Sequence, residues 1–266
     1  MDYRDLVRSA HALESFFADS AYLGLTLSAR APEAVRLWRF TGLAAERAMY
    51  RATGGINTHK GAIFLLGLLA FSWGRGQRQR LRCRPSSDAA RYPLTSSAVL
   101  DIAHRLMARP LADEQRSHRG GFSETYGQWA QRRFQWGGMR HTVLCDFRGL
   151  RRVIGLRPRL RHTHRRCRLA LARHLLFLDS QDSNLLKRAG WRATQETLQR
   201  AHRALRLGSV MTPAGRGQLQ QLDRALSAHQ WSASGTGDLL AALLLLEGLE
   251  RLGRHDQPFP SSSGAP

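Results

Sequence analysis

The run Ala62–Trp73 (AIFLLGLLAFSW) is almost wholly apolar, which is the pattern of a helix buried inside a protein. It has too few apolar residues to span a bilayer, which takes about 20. Leu169–Leu178 and Asp238–Leu252 are two further strongly apolar helical runs. Strand signals are almost absent, with no β-branched stretches and no Asn-Gly or Asp-Gly hairpins. No repeat of fixed period is visible. The 266 residues are enough for one sizeable core. The expected fold is therefore all-α: a single globular helical domain over 1–252 with buried central helices. The Pro-, Ser- and Gly-rich tail 253–266 is expected to be disordered.

Directly ahead of the first apolar run stands TGGINTHKGAIF, Thr53 to Phe64. Gly54 and Gly55 allow a tight turn and a close approach of backbone to a ligand. Asn57, Thr58, His59 and Lys60 then supply an amide, a hydroxyl, an imidazole and an ammonium within about one helical turn. At a helix N-terminus, free N–H groups and the helix dipole favour phosphate. An ordinary glycine loop with Asn57 or Thr58 as N-cap is the alternative from local chemistry. Lys60 and Lys187 are the only lysines in a chain crowded with arginine.

The formal net charge is +21, a field that attracts polyanions: nucleic acid, anionic membrane or phosphorylated small molecules. An arginine-biased composition accounts for much of it. Cys83, Cys145 and Cys167 are odd in number and make no CxxC or zinc pattern, which suits reduced thiols in the cytoplasm. Met1–Ser9 lacks the apolar run of a signal peptide.

Taken in order, residues 3–24 read as one amphipathic helix, and Pro32–Glu33 as the start of a second. The stretch after Trp73 (GRGQRQRLRCRPSSD) reads as a basic loop. Leu94–Ala108 reads as a helix, residues 109–122 as a mobile polar segment and Gly127–Leu150 as mixed. Thr194–Leu205 and Arg216–His229 read as helices.

Two more clusters carry chemistry. DSQDSNLLKR (Asp179–Arg188) places Asp182 and Asn184 two apart at the end of an apolar helix, with Lys187 and Arg188 following. Hard oxygens in this pattern suit Mg²⁺; a helix C-cap with a solvated turn is the alternative. In SASGTGDLL (Ser232–Leu240), small residues lead into a helix that Asp238 can cap, unless it binds a metal or a hydroxyl.

TGGINTHKGAIF, with Gly42, Glu46 and Met49 upstream, resembles the signature of the triphosphoribosyl-dephospho-CoA synthase family. Asp182, Asn184, Leu185, Leu186 and Arg188 match that family's Asp-Thr-Asn-Leu-Leu-His-Arg, with Lys187 where histidine is usual. Ser232, Gly235, Asp238, Leu239 and Leu240 match its Ser-Pro-Gly-Gly-Ser-Ala-Asp-Leu-Leu. In GMRHTVLCDF, Gly138, Arg140 and Phe147 fit the family's Gly-Ala-Arg-Glu-Glu-Ala-Ala-Leu-Gly-Phe-Pro, but His141 and Thr142 occupy its two glutamate positions. Relatives also begin with a Lys-Pro-Gly-Leu-Val segment, which is expected to be missing here.

The resemblance implies an all-α enzyme that joins ATP to 3′-dephospho-CoA with loss of adenine. The product is 2′-(5″-triphosphoribosyl)-3′-dephospho-CoA, the prosthetic-group precursor for malonate decarboxylase or citrate lyase. Composition leans towards the former. The expected roles are Glu46 or Asp238 as general base, and Asn57, Thr58, His59 and Lys60 on phosphate, with His59 also a candidate acid. Gly54, Gly55, Arg140, Lys187 and Arg188 complete the expected substrate contacts, and Asp182 and Asn184 carry Mg²⁺. A downstream phosphoribosyl-dephospho-CoA transferase is the expected partner, no membrane is involved, and the apolar helices could bury a homodimer face. Two competing readings stand beside this one. A basic nucleic-acid-binding protein would explain the charge but shows no helix-turn-helix or zinc-finger pattern. A catalytically impaired relative that binds nucleotide would explain the altered GMRHT segment.

Overall fold

The computed structural model describes residues 2–28, 31–82, 94–117 and 126–255, and every statement below concerns these. They form α1 (Tyr3–Ala12), α2 (Glu14–Thr26), α3 (Ala31–Ala52), α4 (Lys60–Arg82), α5 (Ser96–Ser117), α6 (Tyr126–Phe134), α7 (Gly138–Leu144), α8 (Arg148–Leu156), α9 (Arg165–Asp179), α10 (Ser183–Arg206), α11 (Pro213–Ala228) and α12 (Ser234–His255). Single 3₁₀ turns follow α8 and α10, and no strand occurs among the described residues. The all-α expectation holds.

Local chemistry sets most helix starts. Asp2 and Asp5 form a reciprocal capping box at α1. Thr212 caps α11 and Pro213 occupies its first turn. The expected single helix over 3–24 is instead two, because at Leu13 the N–H turns back to Ala10 O and the buried Leu13 side chain pins the corner. Asp182 does not close α9; it is the N-cap of α10, which absorbs the expected Thr194–Leu205 helix. Residues 109–117 continue α5 with Pro110 inside it; 118–122 of the expected mobile segment lie outside the described residues. Of the expected tail, 253–255 continue α12 and the rest likewise lies outside.

The core is layered around α4. Leu65, Leu68, Leu69 and Phe71 of α4 pack with Trp38 of α3, Leu100 and Met107 of α5, Leu176 of α9 and Leu243 and Leu246 of α12. A second cluster joins Leu13, Phe16, Ala45, Met49 and Ile63, seating α1–α3 on the start of α4. A third, with Phe177, Leu185, Ala201 and Leu222, ties α9, α10 and α11 together. Both long apolar runs, α4 and α12, are interior helices that face each other, as their sequence predicts.

The described part of the basic stretch after Trp73, residues 74–82, is helix and not the expected loop; residues 83–88 of that stretch lie outside the described residues. The helical part extends α4 to Arg82. Gly74 and Gly76 are buried there, since a Cβ on Gly74 would overlap Ala21 O and one on Gly24 would overlap Phe71 O. The α2 and α4 backbones are in direct contact, and only glycine permits that spacing. Gly74→Ala should therefore destabilise the protein by about 1–3 kcal/mol, the cost of overpacking. Gly248→Ala, in α12 with open space at its Cβ, should gain about 0.5–1 kcal/mol. Urea denaturation of the two variants checks both; equal stabilities would refute the close-contact reading.

Candidate active site

Four helix starts, far apart in sequence, meet at one place. A Cβ on Gly61 of α4 would overlap Asp238 Oδ2 of α12 and lie 3.4 Å from Met139 Cγ of α7. One on Gly235 of α12 would lie 2.9 Å from Asp182 Oδ2 and 3.0 Å from Met139 Cε. Gly138 of α7, at φ +56°, would meet Ser183 Oγ of α10 at 3.0 Å. The three long helices α4, α10 and α12 thus turn their positive dipole ends to one site, with short α7 wedged between them.

Asp182 holds this convergence together. Its Oδ1 accepts from Asn184 N (2.8 Å) and Leu185 N (3.0 Å), capping α10. Its Oδ2 accepts from Gly235 N (2.6 Å) and Thr236 N (3.3 Å), capping α12. Trp136 Nε1 donates to the Asp182 carbonyl (3.1 Å), and Asn184 Nδ2 to Ser234 Oγ (2.6 Å). The carboxylate is buried; burial pushes its pKa up, and the four N–H groups pull it back. A carboxylate has about four lone-pair sites, and all are taken. As placed, Asp182 has none left for the Mg²⁺ expected from sequence. No cluster of three or more His, Cys, Asp or Glu fit for a metal occurs among the described residues.

Asp238 is the contrasting carboxylate. It makes no side-chain hydrogen bond or ion pair with the described residues, and burial followed by the nearby Asp182 charge raises its pKa to about 7. Such a group is poised to take a proton near neutrality. Glu46 is occupied differently, with Oε2 at 2.8 Å from Lys60 Nζ.

In the NTHK segment, Asn57 Oδ1 accepts from Lys60 N (3.2 Å), opening α4. Thr58 Oγ1 donates to Ser9 Oγ (2.8 Å), and His59 Nδ1 lies 2.7 Å from the same oxygen. Ser9 Oγ donates to Asp5 O (2.9 Å), which fits the Nδ1–H tautomer of His59 and leaves Nε2 with its lone pair. Burial lowers the His59 pKa. Gly54 and Gly55 (φ +63° and +91°) end α3, where Gly55 N donates to Tyr50 O at 2.8 Å. Their positive φ serves this C-cap.

Around the rim, Arg140 Nη1 is 3.2 Å from Glu114 Oε2, and Arg39 shares that carboxylate. Arg188 Nη1 donates to Gln230 O (3.1 Å), and Lys187 Nζ sits 5.8 Å above the Tyr126 ring; neither shows a contact with Asp182 or Asp238. His141 and Thr142 line a small pocket with Cys145, Arg148, Asp179, Gln181 and Leu239, beside Asp238 in sequence. His141 Nε2 lies 3.1 Å from Cys145 Sγ, and burial, then Arg148, lowers its pKa. Cys145 and Cys167 are free thiols; Cys83 lies outside the described residues.

The structure therefore brings together Asn57, Lys60, Glu46, Asp182, Asn184 and Asp238. Sequence reasoning missed Ser9, Trp136 and Met139. Ser9 is fully buried in the structure, and nothing local in the sequence marks any of the three. No helix among the described residues is long and apolar enough to cross a membrane.

The chain is 31% identical over 253 residues to "Probable 2-(5''-triphosphoribosyl)-3'-dephosphocoenzyme-A synthase" of Salmonella gallinarum, covering 92% of this chain and 79% of that one. It is 31% identical over 238 residues to a 2-(5''-triphosphoribosyl)-3'-dephosphocoenzyme-A synthase of Klebsiella pneumoniae, covering 88% and 74%. A second such synthase of Klebsiella pneumoniae is 33% identical over 215 residues, covering 77% and 68%. No solved structure matches. Residues 1–257 match the ATP:dephospho-CoA triphosphoribosyl transferase family, and the chain therefore belongs to it: it is a transferase.

Proposed function

We propose that the protein transfers the triphosphoribosyl group of ATP to the 2′-hydroxyl of 3′-dephospho-CoA and releases adenine. The observation that carries this reading is the convergence of the α4, α10 and α12 N-termini around one unpaired carboxylate, Asp238. The α4 start suits the triphosphate through its dipole field and the adjacent Lys60, because Asp182 already holds the first N–H groups of α10 and α12. Lys60 and Arg140 add mobile cations at the rim, exchanging Glu46 and Glu114 for phosphate.

The 2′-hydroxyl attacks the anomeric carbon of the ATP ribose. A C–O bond forms, the C–N bond to adenine breaks, and the triphosphate stays on the sugar. By analogy with glycoside chemistry the transition state has oxocarbenium character. Asp238 accepts the hydroxyl proton, a contribution of about 10²–10⁴-fold. Its pKa near 7 keeps a useful fraction ionised while leaving it basic enough to act. His59, neutral because burial lowers its pKa and held by Ser9 with its proton on Nδ1, accepts from the adenine 6-amino group through Nε2 and orients the base, and the departing ring nitrogen takes its proton from solvent. Mg²⁺ is proposed only as the counter-ion that ATP brings, since the Asp182 carboxylate is already filled; bound to the triphosphate it would offset negative charge.

The product is proposed to serve a malonate decarboxylase or citrate lyase acyl carrier subunit, through a downstream phosphoribosyl-dephospho-CoA transferase. His141 and Thr142, at the family's glutamate positions, favour a second reading in which nucleotide binds without turnover. The protein is to be incubated with ATP, Mg²⁺ and 3′-dephospho-CoA, and free adenine followed by chromatography. Adenine should appear only when both nucleotides are present. Nucleotide binding without adenine would favour the second reading.

Asp238→Asn should lower the rate by about 10²–10⁴-fold, and the wild-type kcat/KM should rise with pH to a plateau above about 7. The stability sign follows from the same shift. The folded pKa of about 7 exceeds the ordinary value of 3.8, so between these values the folded state keeps a proton the unfolded state has lost. Stability should fall as pH rises through that window, and Asp238→Asn should flatten the slope in urea titrations.

Asp182→Ala should act on stability first. Each buried N–H left unpaired costs about 1–3 kcal/mol, so a loss of at least about 3 kcal/mol and a melting point lower by on the order of 10 °C are expected. Calorimetry showing no shift would remove the brace.

A further inference from the structure

A chain of aromatic rings runs from the site to the surface. Trp136, whose Nε1 bonds the Asp182 carbonyl, packs edge-on with Trp191 at 5.7 Å. Trp191 stacks on Phe134 at 4.6 Å and 7°. Phe134 meets Trp129 at 5.5 Å, and Trp129 meets Tyr126 at 5.1 Å. The inner end is buried, with Trp136 at 8% exposure, but Trp129 and Trp191 keep 37% and 39% of their surface open. Two cations stand over this aromatic surface: Lys187 over Tyr126 at 5.8 Å and Arg133 over Phe134 at 5.5 Å. Neither makes an ion pair with a described residue. Gly190, at φ 76° and ψ 171°, breaks α10 immediately before Trp191, a backbone state only glycine adopts at low cost. The bend sets Trp191 parallel to Phe134 rather than in helical register.

Two large open indoles beside unpaired cations are the recognition chemistry of a nucleobase joined to phosphate. Stacking needs a flat π-face, and the cations need an anion. We propose that Trp191 forms a stacking shelf for the adenine of the acceptor, 3′-dephospho-CoA, with Trp129, set nearly at right angles to it, closing on the edge of the base, and that Lys187 and Arg133 bind its diphosphate. This rests on the transfer reaction proposed above. The acceptor is the better occupant than ATP for two reasons. Its adenine stays attached through the reaction, so a shelf that holds it tightly costs nothing at product release, whereas ATP's adenine must depart. Its adenine is also on the same ribose as the attacking 2′-hydroxyl, so holding the base positions that hydroxyl within the site. The ATP triphosphate already has the α4 start and Lys60, while the acceptor's diphosphate has no other unpaired cations assigned. The continuity of rings from Trp191 through Trp136 to Asp182 places the shelf beside the reacting centre.

Calorimetric titration of 3′-dephospho-CoA and, separately, of ATP into the full chain tests this. For Trp191→Ala, dephospho-CoA affinity should weaken by about 5- to 150-fold, the range for one base–aromatic stack, and for Trp129→Ala, which loses an edge contact, by less. ATP affinity should stay within about twofold. Trp191→Phe, which keeps a π-face, should recover most of the binding, separating stacking from misfolding. Lys187→Gln should weaken dephospho-CoA and not ATP. Weakened ATP with unchanged dephospho-CoA would assign the shelf to the donor base and overturn the proposal. Unchanged affinities for both would overturn the shelf while leaving the reaction intact. A wild-type protein that binds no dephospho-CoA would overturn the reaction and the shelf with it.

Discussion

One buried carboxylate determines how this molecule is assembled. Asp182 accepts four backbone N–H groups, two from the start of α10 and two from the start of α12. Helix starts carry roughly half a positive charge each and repel when brought together. Asp182 supplies the negative charge that lets α10 and α12 abut, and it satisfies donors that would otherwise be buried without partners. Its own desolvation is offset by those four bonds.

The same charge tunes the chemistry. Asp238 lies close enough to Asp182 for its pKa to be raised by it, on top of the effect of burial. Two carboxylates within one cluster of helix ends thereby differ: one is saturated with hydrogen bonds, the other is unpaired among the described residues with its pKa raised. Environment rather than residue type makes that division, as with paired carboxylates generally. Glycine makes the geometry available. Gly61 leaves room for Asp238, Gly235 for Asp182, and Gly138 for the turn into α7. Gly24 and Gly74 do the same for the α2–α4 contact.

The altered segment 138–147 fits around this arrangement without breaking it. Met139 fills the space between Gly61 and Gly235, and Arg140 faces Glu114. His141 pairs with Cys145 in the small pocket beside Leu239, where burial and Arg148 keep the ring neutral. Asp179, held between Arg148 and Arg152, supplies the carboxylate of that pocket wall.

The sequence by itself determined the helical class, the two interior helices α4 and α12, and the motif residues from Asn57 to Lys60, Asp182 and Asp238. Apolar runs and polar residues at helix starts report local chemistry directly. It misled where one residue serves two structural ends. Gly74 and Gly76 read as a loop because a glycine's need for close packing against another helix leaves no local trace. That Asp182 caps two helices was not legible, because its four donors come from the starts of two helices about 50 residues apart. Trp136, Met139 and Ser9 carried no motif at all. Only the tertiary structure decided that four helix starts meet, that Asp182 is saturated and Asp238 is not, and that the tryptophans line up. Each of these depends on distances between segments remote in sequence, which periodicity and spacing do not encode.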